Sequence, residues 1–120
     1  MSCLYTSCAY HLKTDHVSLR RSVSLFINEH MDLPINGTTL REWIIMAGHN
    51  PEKYAQKVAR PSVMGTGIEV AVIALLHNRA VIVFNPQGDK IAEYFPELGN
   101  AIELIFMGPP DGGHYEPKKK

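Results

Sequence analysis

Two cysteines and six histidines are the residues of this 120-residue chain best suited to chemistry. Thiol catalysis needs a thiolate, an imidazole that takes and returns its proton, and donors for a developing oxyanion. Cys3 stands at the expected start of a helix, where backbone dipoles favour negative charge and therefore the thiolate. His114 follows Gly112-Gly113 at the entry to a short extended segment, and glycine lets backbone approach a substrate closely. Glu116 lies on the same side of an extended chain as His114. Its carboxylate is spaced to orient the imidazole and stabilise its charged form, the third role of a triad.

Each of these residues also has a plainer reading. A cysteine near a chain end is ordinarily just a small side chain, and Cys8 fits that description, facing the core. His11, His16, His30, His49 and His77 fall near helix ends or on exposed faces, as caps, surface residues or packing partners. By type and spacing alone, His114 reads as a surface histidine too. On a helix, the separation of Cys3 from Cys8 leaves the two side chains about 140° apart. That divergence argues against a disulfide and against shared metal ligation. Cys8 and His11 do share a face, but a structural zinc needs four ligands and no others are spaced to complete the set. Free thiols in a reducing cytoplasm, with no metal and no cofactor, are the expectation.

The elements that must position these residues follow from period and punctuation. A helix is expected from Ser2 to Lys13, ending near Thr14-Asp15. A second fits Ser18 to Met31, where Leu19, Val23, Phe26, Ile27 and His30 recur at helical spacing. Leu33 to Gly37 is a loop with Asn-Gly as its turn signal. Thr39 with Glu42 forms a capping-box pattern that opens a short helix through Met46, closed by Gly48. Asn50-Pro51 reads as N-cap and first helical residue of a helix toward Ala59. Val63 to Gly67 leads into a helix over Ile68–Leu76. Then the period changes: Ala80–Phe84, Ile91–Phe95 and Ala101–Phe106 read as strands separated by turn clusters. Gly108 to Gly113 is a loop, and His114-Tyr115 resumes a strand. Helices in the front half packed on a small sheet from the back half make an α+β arrangement, in one domain spanning 1–120.

Composition excludes several function classes. Twelve basic and twelve acidic residues cancel, whereas a nucleic-acid binder needs a concentrated positive face. The basic run Lys118-Lys119-Lys120 reads as a solvated tail. No apolar stretch reaches the roughly 20 residues that span a bilayer, and Met1 to Tyr10 has neither the charged start nor the cleavage site of a secretory signal. A monomer that binds neither membrane nor nucleic acid is expected.

An ordered set of segments adds a resemblance. Cys3-Leu4-Tyr5-Thr6-Ser7 with Tyr10 and Leu12 resembles the nucleophile helix of the ovarian-tumour (OTU) family of cysteine-protease deubiquitinases. Leu19-Arg20-Arg21 and its helix resemble that family's next element. Gly65-Thr66-Gly67-Ile68-Glu69 is similar to its Trp-Gly-Gly-x-Ile-Glu segment. The strands Val81–Phe84 and Ile102–Phe106, then Gly113-His114-Tyr115-Glu116, follow in the family's order. The resemblance implies a papain-like OTU-type fold and a thiol isopeptidase that cleaves ubiquitin or a ubiquitin-like modifier from lysine. Cys3 would be its nucleophile, His114 its general base and acid, and Glu116 the orienting carboxylate. The alternative is a catalytically weak or inactive module of the same fold that binds ubiquitin without cutting it; a further one is an unrelated α+β domain. Met64 stands where the family usually has tryptophan, Thr66 replaces one glycine, and Glu116 is a longer arm than the aspartate or asparagine of many members. The family has Asp-Gly and one more residue before the cysteine; with Met1-Ser2 there instead, a shortened oxyanion loop is expected.

Overall fold

A computed structural model describes residues 3–109 and 112–119. Ser2, expected to open the first helix, Pro110 and Asp111 of the loop before His114, and Lys120 of the basic run lie outside the described residues. Helix α1 covers Cys3–Leu12 and α2 covers His16–Glu29. The second helix starts two residues earlier than its periodicity suggested because Asp15 caps it. The Ser18 amide donates to Asp15 Oδ1 at 2.8 Å and the Ser18 hydroxyl to Oδ2 at 3.0 Å. Those bonds hold the Asp15 carboxyl below its usual range.

The segment expected as a loop is instead a miniature hairpin, β1 (Pro34–Ile35) against β2 (Thr38–Thr39). Asn36 and Gly37 both have positive φ, 52° and 81°, as the tight hairpin turn between them requires. Helix α3 (Leu40–Met46) opens on the anticipated Thr39–Glu42 capping box, and α4 (Pro51–Val58) on Asn50, whose Oδ1 accepts from the Glu52 amide. Helix α5 runs Gly67–His77 and ends on left-handed Asn78.

Four strands make the main sheet: β3 (Val81–Phe84), β4 (Lys90–Tyr94), β5 (Ile102–Met107) and β6 (His114–Pro117). Their order is β4-β3-β5-β6, with β3 and β5 parallel and the other pairs antiparallel. The expected turn at Pro96 is a single 3-10 turn over Pro96–Leu98. Helices and sheet together form the α+β layering anticipated from the sequence. Val81, Val83, Ile102 and Leu104 share one face of the sheet and pack with Leu4, Cys8, Val70 and Ile73 into the core. Helix α1 lies along β6, the edge strand, and α2 joins α1, α4 and α5 behind it.

Burial pushes the Cys8 thiol from its ordinary 9.0 up to about 12, and the Tyr115 phenol from 10.0 to about 12. For a raised folded-state value, stability is complete below the unfolded value and is lost as pH rises through the folded one. Denaturation measured across pH 8 to 12 should therefore show stability falling from about pH 9 upward. Cys8→Ala should give a shallower slope there, and an identical slope would mean that Cys8 is not held protonated in the folded state.

Candidate active site

Three contacts fix how α1 runs along β6. His11 Nε2 lies 2.8 Å from the Glu103 carbonyl, which also accepts from the Lys118 amide just past the end of β6. One turn back along the helix, the Ser7 hydroxyl donates to the Tyr115 carbonyl at 3.1 Å. A further turn back, about 6 Å along the axis, is Cys3, the first residue of α1. From His11 to Ser7 the helix therefore runs in the same direction as β6 from Lys118 back to Tyr115. Cys3 is thus at the end of β6 that begins with His114. The Tyr115 phenol is raised chiefly by its burial, with Tyr94, Cys8 and Cys3 among the neighbouring charges that add to it. Cys3 is a half-buried free thiol, and Cys8 is a fully buried one.

His114 and Glu116 occupy alternate positions of β6 and so share a face, opposite Met107 and Ile105 of β5. His114 Nε2 lies 3.5 Å from Glu116 Oε2, with both side chains half exposed. With Nε2 turned to the carboxylate, Nδ1 is the ring nitrogen left to exchange a proton with a thiol.

Gly113, just before the histidine, has no room for a side chain. A side-chain carbon on Gly113 would lie 2.1 Å from the Phe106 ring and 2.7 Å from the Pro109 carbonyl oxygen, so only glycine lets the chain turn into β6 here. Tyr115, on the opposite face from His114, packs edge-on to Phe106 with ring centroids 4.9 Å apart. The histidine is therefore presented by a strand anchored on both sides.

Behind Cys3 is a buried polar group whose role residue-type reasoning missed. Arg20, on α2, is 4% exposed, and its guanidinium sits over the Tyr5 ring at 4.2 Å. Its Nη1 reaches the carbonyls of Val58, Arg60 and Val63 at 2.9, 2.7 and 2.9 Å. Glu69, on α5, is 1% exposed. Its Oε1 accepts from the Thr66 amide and hydroxyl at 2.8 and 2.9 Å, and its Oε2 from the Tyr54 hydroxyl at 2.5 Å. Burial raises the Glu69 carboxyl above its usual range, against the pull of Tyr54, Thr66 and Arg20. Two signals pointed this way. Arg20 falls on the same helical face as Val23 and Ile27, and Thr66 with Glu69 is a capping-box spacing.

Comparison of the whole structure with solved ones decides the architecture. An OTU domain in complex with ubiquitin matches with a TM-score of 0.73 at 24% identity, over 97% of this chain. The OTU domain of OTUD1 matches at 0.70 and 15% identity over 97%. The fold is that of an OTU domain. The viral OTU domain protease from Dera Ghazi Khan virus matches as well, at 0.62 and 14% identity, over 98% of this chain. The chain spans 62% of the ubiquitin-bound OTU domain's length, 77% of the OTUD1 domain's and 76% of the viral domain's. No family profile and no curated protein sequence matches it. The papain-like α+β arrangement that the segment resemblance implied is thus the one this chain adopts.

Proposed function

We propose that this OTU-type domain is a deubiquitinase-type thiol isopeptidase, cleaving ubiquitin or a ubiquitin-like modifier from lysine. The observation that carries the reading is a free thiol on the first residue of α1, beside the strand that begins with a carboxylate-paired histidine. Cys3 Sγ attacks the carbonyl carbon at the modifier's C-terminus, and the Cys3 amide helps hold the resulting oxyanion. Collapse of that adduct breaks the C–N bond as His114 gives its proton to the departing lysine amine. Water, deprotonated by His114, then attacks the thioester and releases the modifier's carboxylate and the free thiol. In this reading Glu116 holds the imidazole and offsets its charge while it is protonated. The domain acts as a monomer in the reducing cytoplasm and needs no cofactor.

A ubiquitin carrying an electrophilic C-terminus tests the proposal directly. Covalent capture supports the isopeptidase, reversible binding alone supports a non-cutting module of the same fold, and no interaction defeats both. Glu116→Ala is expected to lower kcat about tenfold while KM changes less than about twofold, because the lost contact matters mainly once imidazolium forms. Steady-state kinetics on an isopeptide-linked substrate checks this. An unchanged kcat would remove Glu116 from the mechanism.

A further inference from the structure

Apart from Cys3 and the His114–Glu116 pair, the strongest chemical cluster in the molecule is the buried Arg20–Tyr5–Glu69–Tyr54 group. It has no route to solvent through which a substrate could reach it, since all four residues are at most 4% exposed. What it touches is the segment Val63–Gly67. Arg20 holds the start of that segment by the Val63 carbonyl, and Glu69 holds its end by the Thr66 amide and hydroxyl. Between these two anchors, Gly65 lies flat on Leu4, the residue after Cys3. A side-chain carbon added to Gly65 would fall 2.2 Å from Leu4 Cδ2 and 3.0 Å from Leu4 Cβ. Arg20 also stacks on Tyr5, the next residue of the same helical turn. The start of α1 is thus held on one side by β6, through Ser7 and Tyr115 one turn on from Cys3, and on the other by this tied loop.

We infer that Arg20 and Glu69 are positioning residues for the nucleophile, acting through the Val63–Gly67 loop to hold the first turn of α1, and Cys3 with it, in place beside β6. The inference rests on the isopeptidase reading for its use, but not for its geometry. The reason such a clamp matters is general: reacting atoms must be held within a few tenths of an ångström, and a misplacement of about 1 Å costs on the order of a hundredfold in rate. Thr66 and Gly65 then have different parts. Thr66 closes the hydrogen-bond circuit with Glu69 and Tyr54, and Gly65 allows the close approach to Leu4.

The direct test is Gly65→Ala, which leaves every polar partner in place and wedges the loop away from Leu4. Its backbone is outside the left-handed region, so the added methyl acts only through that contact. Four quantities are measured: the maximal rate and half-saturating concentration for capture by the ubiquitin electrophile, the rate of Cys3 alkylation by iodoacetamide, and the thermal midpoint. Expected for Gly65→Ala is a maximal capture rate lowered at least about tenfold, with half-saturation within about twofold and alkylation slowed at least about threefold. Glu69→Gln, whose amide oxygen still accepts from Thr66, should keep the capture rate within about threefold of wild type, while Glu69→Ala behaves like Gly65→Ala. The control is Ile27→Val, a core change in α2 distant from the loop. It should lower the thermal midpoint and leave the capture rate unchanged. A folded Gly65→Ala protein with wild-type capture and alkylation rates overturns the inference, as does a rate loss that Ile27→Val reproduces at equal loss of midpoint. Failure of the wild-type protein to be captured would defeat the isopeptidase reading instead. Cys3 alkylation would then decide the positioning role alone, with equal rates in wild type and Gly65→Ala overturning it.

Discussion

Cys3→Ala is expected to lower isopeptide turnover by at least about 10⁴-fold, and Cys8→Ala to leave it within about twofold. The contrast follows from where the two thiols lie. Cys3 is half-buried on the first residue of α1, beside the strand that opens with His114. Cys8 is fully buried, and its thiol is pushed up to about 12 by that burial, so it is neither ionised nor reachable near neutrality. Removal of a nucleophile in an acyl-transfer enzyme typically costs as much as removal of the entire catalytic set, because the members act as a unit. Turnover of a lysine-linked ubiquitin substrate by the purified variants gives the result. Substantial activity in Cys3→Ala, or its loss in Cys8→Ala, would assign the wrong nucleophile.

Arg20→Ala should cost about 3–5 kcal/mol of folding free energy, the range seen when one partner of a buried charged network is removed. The carbonyls of Val58 and Val63 would lose this donor, that of Arg60 would keep only the Val63 amide, and Glu69 would lose the buried positive charge that favours its ionised form. Each unsatisfied buried acceptor costs about 1–3 kcal/mol. Against a total stability of about 5–15 kcal/mol for a domain of this kind, the variant would sit close to unfolding. Arg20→Lys should recover only part of this, since an ammonium cannot stack flat on Tyr5 as the guanidinium does. Guanidinium denaturation measures both variants. A loss below about 1 kcal/mol for Arg20→Ala would show that the network does not support the fold.

Much of the architecture was legible because it is encoded locally. Thr39 with Glu42, Asn50 with Pro51, and the turn at Asn85, whose Oδ1 accepts from the Gln87 and Asp89 amides, each declare themselves within a few residues. The relation of His114 to Glu116 was legible for the same reason, since alternation along a strand puts them on one face. Two-residue strands such as β1 and β2 are too short to show any alternation, so only their Asn-Gly turn was visible. Asp15 was overlooked as a cap because it precedes the apolar stripe of α2 by a full turn. The Arg20 cluster depended on contacts between residues far apart in the chain, and nothing near Arg20 in sequence reveals the three carbonyls it meets. The expectation that Cys3 works with His114, at the other end of the chain, rested on segment order and not on spacing.

The central claim is that Cys3 is a nucleophile directed at the C-terminus of ubiquitin or a close relative. The most direct measurement is the site-resolved mass of the adduct formed with ubiquitin bearing an electrophilic C-terminus, after digestion and peptide mapping. A single ubiquitin linked through the thioether of Cys3, absent from His114→Ala at neutral pH, is the expected result. A folded protein that forms no adduct, or forms it at Cys8, would contradict the claim.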